Sequence, residues 1–224
     1  MLLRDSVYEG LKFEIITGVL PAGEQIQEAQ LAEQFETSKT PVREALARLA
    51  QEGLLEVLPR VGYIVRSYTL EQAQAIFDFR AILEGAAAEL AARYITEGEL
   101  RQLEAMCELD YRSGQPLSYT GFFERNRRFH LLVATASRIS YLVEALDRIF
   151  DQVDRLLHHR LDLRAPDAQL IDEHLAVVAA LRRRDPDGAR EAMLVGLNST
   201  RDLVLNFLVQ GGERQVVAGQ LRES

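Results

Sequence analysis

The residues best suited to chemistry are polar side chains at inward positions of apolar helical patterns in the C-terminal two-thirds of the chain. Asn126 and His130 stand four residues apart on one face, and His174 falls on the apolar face of a later segment. Because buried polar groups need partners, these three side chains either converge on one site or are satisfied separately in the core.

A second polar pair, Arg80 and Glu84, lies at i, i+4 spacing within another apolar stripe. The Arg80 guanidinium has two possible partners. It can bind a ligand carboxylate through two parallel hydrogen bonds, or it can form an ion pair with Glu84 within the helix. The pattern leaves both possibilities open.

Residues 39–51 predict a helix with one apolar and one polar face. Apolar side chains recur at i, i+3, i+4 and i+7, at Val42, Ala45, Leu46 and Leu49. The opposite face carries Lys39, Thr40 and Arg43, and a small polar face with two cations suits a helix in a DNA major groove. Ser38, Thr40 and the N-terminus of the helix can hydrogen-bond phosphate oxygens.

The segments around this helix complete a recognisable order of elements. They are two short helices and a β-hairpin, predicted at 5–17, 29–35, 54–58 and 63–66. The hairpin tip carries Arg60 and Gly62, which would lie over the DNA backbone or in a minor groove. Three helices followed by a hairpin indicate a winged helix-turn-helix domain, which we place at residues 1–68.

The rest of the chain predicts an all-helical antiparallel bundle. Glycine and proline breaks separate six helical segments, at 70–95, 97–112, 117–137, 140–164, 167–184 and 186–210. Several glycines after position 210 predict a flexible tail over 211–224. The expected fold is therefore mainly α, with the winged domain followed by a domain of about six helices at 69–210.

Composition excludes several classes of protein. The 224-residue chain has a net charge of −8, which argues against coating nucleic acid by bulk positive charge. The segment 39–66 nevertheless holds five basic and three acidic residues. A single cysteine, Cys107, excludes an intramolecular disulfide and a cysteine-based zinc cluster. We expect a cytoplasmic protein without a membrane span and, since no catalytic motif is recognised, no enzyme.

The N-terminal motifs resemble a known family over residues 6–66. They are the stretches Gly18–Glu24, Leu31–Phe35, Ser38–Leu46, Glu52–Leu54 and Gly62–Val65. In residue type and spacing they are similar to the GntR family of bacterial transcription regulators. The resemblance implies that Lys39, Thr40, Arg43 and Gly62 contact DNA, and the chemistry of the hairpin tip adds Arg60. Two positions depart from the family: Lys39 stands where arginine is common, and Ala29 where a basic residue is common.

The C-terminal segments carry four motifs: Arg80, Leu83 and Glu84; Asn126, Phe129 and His130; Glu173 and His174; and the stretch Ala189–Leu197. Together these motifs resemble the FCD ligand-binding domain of the FadR-type branch of that family. In that domain an Asp and a His four residues apart, with two later histidines, commonly bind a divalent metal that helps to hold a small carboxylate. Here His130 and His174 match, whereas Asn126 replaces the carboxylate and Gly196 the last histidine. The resemblance therefore implies a weakened zinc or nickel site, formed by Asn126, His130 and His174, and a cavity widened at Gly196.

These patterns together predict a homodimeric regulator that binds a pseudo-palindromic site on double-stranded DNA. The expected effector is a small carboxylate that contacts Arg80, Arg125, Asn126, His130 and His174, and release of repression is the default response. One alternative is a regulator whose sensor has lost its ligand and serves as a dimerisation scaffold. A more remote alternative is a metal-dependent enzyme on the helical domain.

Overall fold

The structure, a computed structural model, describes residues 3–112, 119–158 and 168–220, with side chains over 5–107, 124–157 and 171–209. By their contacts the residues form two compact units. The first comprises Met1–Thr69 and Asp151–His159, and the second comprises Leu70–Phe150 and Arg160–Ser224.

The first unit has three helices and a small antiparallel sheet. Its elements are α1 (Leu3–Ile16), β1 (Gln25–Ile26), α2 (Glu28–Gln34), α3 (Lys39–Gln51), β2 (Leu55–Leu58) and β3 (Gly62–Val65). The strand order is β1-β3-β2, with Gln25 opposite Ile64 and Leu55 opposite Val65. The predicted winged helix-turn-helix architecture is confirmed. Strand β1 was not predicted, because two residues are too few to show an alternating pattern.

The core of the first unit is built on the apolar stripe of α3. All four predicted inward residues are buried, at Val42, Ala45, Leu46 and Leu49. They pack with Leu11 and Ile15 of α1, Leu31 of α2 and Val65 of β3. Removing this stripe from water holds the helix in one orientation, so its polar face is directed to solvent.

The hairpin tip requires unusual backbone conformations at the two residues that the sequence singled out. Gly62 has φ +102°, a conformation that side chains with a Cβ rarely adopt, and it pairs with Leu58. Arg60 has φ +66°. The Gln25 side-chain amide donates a hydrogen bond of 3.0 Å to the Val61 carbonyl, which ties β1 to the tip.

The last turns of a helix from much later in the sequence also belong to the first unit, which the sequence did not indicate. Asp151 lies 2.6 Å from Lys12 Nζ of α1. The buried Arg155 guanidinium donates to the Leu54 carbonyl at 3.4 Å. These contacts join residues about a hundred positions apart, beyond the reach of any local pattern.

The second unit consists of helices, as predicted. They are α4 (Leu70–Tyr94), α5 (Glu97–Arg112), α6 (Tyr119–Ala136), α7 (Ser140–His158), α8 (Ala168–Arg182) and α9 (Pro186–Gln220), and the end of α7 from Asp151 onward belongs to the first unit. Helices α4 and α9 run antiparallel, since Gly85 lies beside Leu194 and Glu89 beside Arg190. Cys107 is buried in the apolar core between these helices.

Helix α9 extends to Gln220, through most of the segment 211–224 for which a flexible tail was predicted, and the flexibility of that segment stays a prediction. Gly211 and Gly212 each cost about 1 kcal/mol relative to alanine within a helix, and a helix already formed upstream can tolerate that cost. Residues 221–224 lie outside the described part of the chain. No helix among the described residues is long and apolar enough to cross a membrane.

We expect Leu46→Ala to lower the free energy of unfolding by about 3 kcal/mol, because it opens a cavity beneath α3. Gln51→Ala, at an exposed position of the same helix, should change it by less than about 0.5 kcal/mol. Urea denaturation of both variants measures the difference. Equal effects would contradict the assignment of the buried face.

Candidate functional site

The exposed face of α3 and the hairpin tip form the first candidate site. Ser38, Lys39, Thr40 and Arg43 are all exposed. Ser38 is the N-cap residue, and its side chain makes no capping hydrogen bond. Its hydroxyl is therefore not used by the helix terminus.

Arg43 has a partner that the sequence reasoning missed. Its Nε donates a hydrogen bond of 2.7 Å to Glu28 Oε2 on α2. The Arg43 side chain is 63% exposed and the Glu28 side chain 29% exposed. The two residues stand fifteen positions apart on different helices, so no helical spacing could have indicated the pair.

Arg60 and Gly62 are both exposed at the tip of the hairpin. A Cβ added to Gly62 would meet no atom within 4 Å. The glycine is therefore required by its backbone angle within this chain and not by crowding. Its lack of a side chain also leaves the backbone open to a close approach from outside.

The second candidate site is a group of buried polar residues in the helical unit. Arg80 and Glu84 on α4 are each 1% exposed, and Asn126, His130 and His174 are also buried. Arg80 Nε donates to Glu84 Oε1, and the other carboxylate oxygen, Oε2, faces His130 Nδ1. The sequence left two partners possible for Arg80. In the structure its partner is Glu84.

Aromatic rings surround the two imidazoles. The Phe129 ring stacks on His174 with centroids 4.0 Å apart. The His130 and His174 rings meet edge to face at 5.3 Å. The Phe150 ring lies 6.0 Å from the His130 ring and 5.1 Å from the Arg80 guanidinium carbon. The predicted convergence of His130 and His174 is present, whereas Arg125 is only half-buried on α6.

Burial and the Arg80 charge set the protonation of this group. Burial alone would raise the pKa of Glu84, but the Arg80 and His130 side chains outweigh it and lower the pKa to about 2. Burial lowers the pKa of His130, and Arg80 adds to that effect. Burial lowers the pKa of His174 to about 3, with further contributions from His130 and Arg80. Glu84 is thus ionised and both imidazoles are neutral near pH 7.

Three buried atoms of the group have no hydrogen-bond partner among the described residues: Glu84 Oε2 and His130 Nδ1, which face each other, and His174 Nε2. His174 Nε2 is unpaired in this way although the residue is 9% exposed. Leaving such an atom unpaired costs about 1–3 kcal/mol. A ligand atom or an ordered water at this position would remove that cost.

The widened cavity expected at Gly196 is not found as predicted. A Cβ added to Gly196 would lie 3.3 Å from both Cβ and Oε2 of Glu173 on α8. The side chain of Glu173 therefore takes up the space that the glycine leaves. The sequence could not indicate this, because the two residues belong to different helices.

The donor set does not fit a resident divalent metal. Asn126, His130 and His174 supply two imidazoles and one neutral amide, fewer strong donors than a closed zinc site requires. Glu84, the carboxylate that faces His130, is held by Arg80. Within the described side chains, no three His, Cys, Asp or Glu residues are placed to hold a metal ion.

The neutral state of His174 makes stability depend on pH. The unfolded chain takes up a proton near pH 6.5, whereas folded His174 resists protonation down to about pH 3. Stability is therefore fully present above about pH 6.5 and falls as the pH is lowered towards 3. Between pH 7 and pH 5, the wild type should lose about 1–2 kcal/mol more than His174→Phe.

Urea denaturation of both proteins at the two pH values measures this difference. His174→Phe keeps a ring against Phe129 and removes the titrating group. His130 and the carboxylates contribute equally to both proteins. An equal loss in the two would show that folded His174 takes up the proton.

Comparison with known proteins identifies a protein family for each of the two units. The model for "Bacterial regulatory proteins, gntR family" matches residues 3–65, and the FCD domain model matches residues 75–198. The HTH-type transcriptional repressor RspR of Escherichia coli K12 is 27% identical over 202 residues, covering 90% of this chain and 89% of RspR. A probable D-xylose utilization operon transcriptional repressor of Paenarthrobacter nicotinovorans is 32% identical, covering 85% of this chain and 84% of that protein.

A solved structure agrees with these matches. Escherichia coli McbR superposes with a TM-score of 0.73 at 27% identity, covering 94% of this chain and 99% of McbR. The two matched families lie in the same order as the two units, which confirms both resemblances. The chain therefore belongs to the GntR family of bacterial transcription regulators and carries an FCD domain.

Proposed function

We propose that this regulator is a repressor that leaves its DNA site when a small carboxylate binds within the FCD domain. The observation that carries the sensor part of the proposal is His174 Nε2, a buried polar atom without a partner among the described residues. The relatives RspR and the xylose-operon protein are described as repressors. The role proposed is regulatory and not enzymatic.

DNA recognition follows from the exposed face of α3. Lys39, Thr40 and Arg43 would face base edges and phosphates of a major groove. Ser38 would hydrogen-bond a phosphate oxygen. In the proposed arrangement Arg60 and Gly62 of the hairpin contact the backbone or the adjacent minor groove.

The proposed assembly is a homodimer on a pseudo-palindromic operator. A two-fold symmetric protein presents two equal reading surfaces and therefore selects two matched half-sites. The net charge of −8 limits non-specific attraction to phosphates, so affinity depends on a few placed contacts in each half-site.

The sensor chemistry is set by the neutral imidazoles. Arg80 is held by Glu84, so a carboxylate ligand would enter beside His130 and His174 and not at Arg80. An N–H at His174 Nε2 would donate to a ligand oxygen, with Asn126 as a second polar contact. A bound anion would also favour protonation of His174, since an opposite charge nearby raises an imidazole pKa.

A second candidate function is a scaffold without a ligand. Two observations favour it: the Arg80–Glu84 pair is closed within α4, and Glu173 takes up the space beside Gly196. In that case the FCD domain would contribute dimerisation only.

Arg43→Ala should weaken binding to a specific duplex by at least about tenfold, because each good bidentate base contact contributes about 1–3 kcal/mol. The probe is a duplex selected by the wild-type protein from a random-sequence pool, and fluorescence anisotropy measures the affinity. Arg93→Ala, which removes the same charge from α4 of the helical unit, is the control. Wild-type affinity in Arg43→Ala would remove α3 from the proposed reading surface.

A small carboxylate that binds the FCD domain should raise the melting temperature, because a ligand at a hundred times its Kd stabilises the folded state by about 2.7 kcal/mol. The measurement is a thermal-shift screen of small carboxylates, each with and without Zn²⁺ or Ni²⁺. His174→Phe should abolish the shift, whereas Arg93→Ala should keep it.

The results of that screen with and without metal distinguish the ligand sensor from the scaffold. A shift that appears only with metal would contradict the donor-set argument and restore the metal site. No shift with any carboxylate, with or without metal, would favour the scaffold.

A further inference from the structure

The hydrogen bond between Glu28 and Arg43 joins two short helices of the first unit. Glu28 lies in the first turn of α2, and Arg43 lies on the exposed face of α3. The contact of 2.7 Å is made by Nε, the inner nitrogen of the guanidinium. The bond therefore restrains the arginine side chain at the guanidinium nitrogen that is attached to Cδ.

The use of Nε leaves the outer edge of the guanidinium for another partner. An arginine has five N–H donors, and four of them are on the two Nη atoms. That edge matches O6 and N7 of guanine. With 63% of its side chain exposed, Arg43 can present the edge outward while Glu28 holds the Nε side.

We propose that Glu28 is a positioning residue, which holds Arg43 for base readout and thereby raises discrimination between the operator and other DNA. The inference rests on the proposed role of α3 in DNA recognition. In the proposed role Glu28 acts through Arg43 and needs no contact with DNA itself.

Energetics favour a role in recognition over a role in folding. An exposed ion pair contributes little to stability, because water and salt screen it. A pre-oriented side chain loses less conformational freedom on binding than a mobile one. The Glu28 carboxylate also offsets the charge of Arg43, which weakens attraction to phosphates of any sequence.

Another arginine of α3 shows a different arrangement. Arg48 is bonded to Glu52 of the same helical region and lies over the Tyr8 ring at 3.6 Å. The Tyr8 ring of α1 and the Glu52 carboxylate thus both restrain Arg48. The Glu28 contact to Arg43 reaches across from α2 and leaves the Nη edge directed away from the contact.

The test compares two substitutions that remove the same charge. Glu28→Gln keeps an oxygen that can accept the hydrogen bond from Arg43 Nε, whereas Glu28→Ala removes it. Glu33→Ala is the control, since Glu33 is exposed on the same helix α2. Affinity of the full-length variants is measured for the duplex selected by the wild-type protein and for its scrambled sequence, and thermal melting checks that each variant folds.

Positioning predicts that the ratio of selected to scrambled affinity falls about tenfold in Glu28→Ala. Glu28→Gln should lie between Glu28→Ala and the wild type, and Glu33→Ala should keep the wild-type ratio. Arg43→Lys removes the planar guanidinium and its Nε donor. In that background Glu28→Ala should cause no further fall in the ratio of selected to scrambled affinity.

Two results would overturn the inference. In the first, Glu28→Ala and Glu28→Gln tighten binding to both duplexes equally, which means that Glu28 acts through charge alone. In the second, Glu28→Ala keeps the wild-type ratio. The underlying assignment fails separately: if Arg43→Ala binds like the wild type, α3 does not read bases through Arg43, whatever Glu28 does.

Discussion

The Arg80–Glu84 ion pair determines the chemistry of the helical unit, because both side chains are almost completely buried. A buried charge without a partner costs far more than a buried pair, so each residue requires the other. Glu84 also faces His130, and Arg80 lies near the Phe150 ring. The cation adds to burial in lowering the pKa of both histidines. The interior of this domain therefore holds one internally neutralised pair beside two neutral imidazoles.

The same pair of residue types has a different consequence at the surface. Arg43 and Glu28 are linked by a comparable hydrogen bond, but Arg43 is exposed and Glu28 partly exposed to solvent, so the pair contributes little to folding. Their hydrogen bond restricts the orientation of the Arg43 guanidinium, the cation that would contact DNA. Burial thus separates two roles for an arginine and a glutamate: one pair is a requirement of the core, and the other is available for recognition.

The sequence predicted the elements well where the pattern is local. The apolar stripe of α3 placed Leu46 and Leu49 inside and Arg43 outside, and the structure agrees. The i, i+4 spacing of Arg80 and Glu84 indicated a possible pair for the same reason. Strand β1 and the continuation of α9 past Gly211 were missed, because one is too short to show a period and the other depends on the helix before it.

The sequence by itself determined the order of most elements, the face that α3 buries and the family, since these follow from spacing and motifs along the chain. Only the tertiary structure decided which residues meet. It brought His130 beside His174, Glu28 to Arg43 and Glu173 to Gly196. Each of these contacts joins residues on different helices. Helical periodicity specifies which way a side chain points, but the packing of whole helices specifies what lies there.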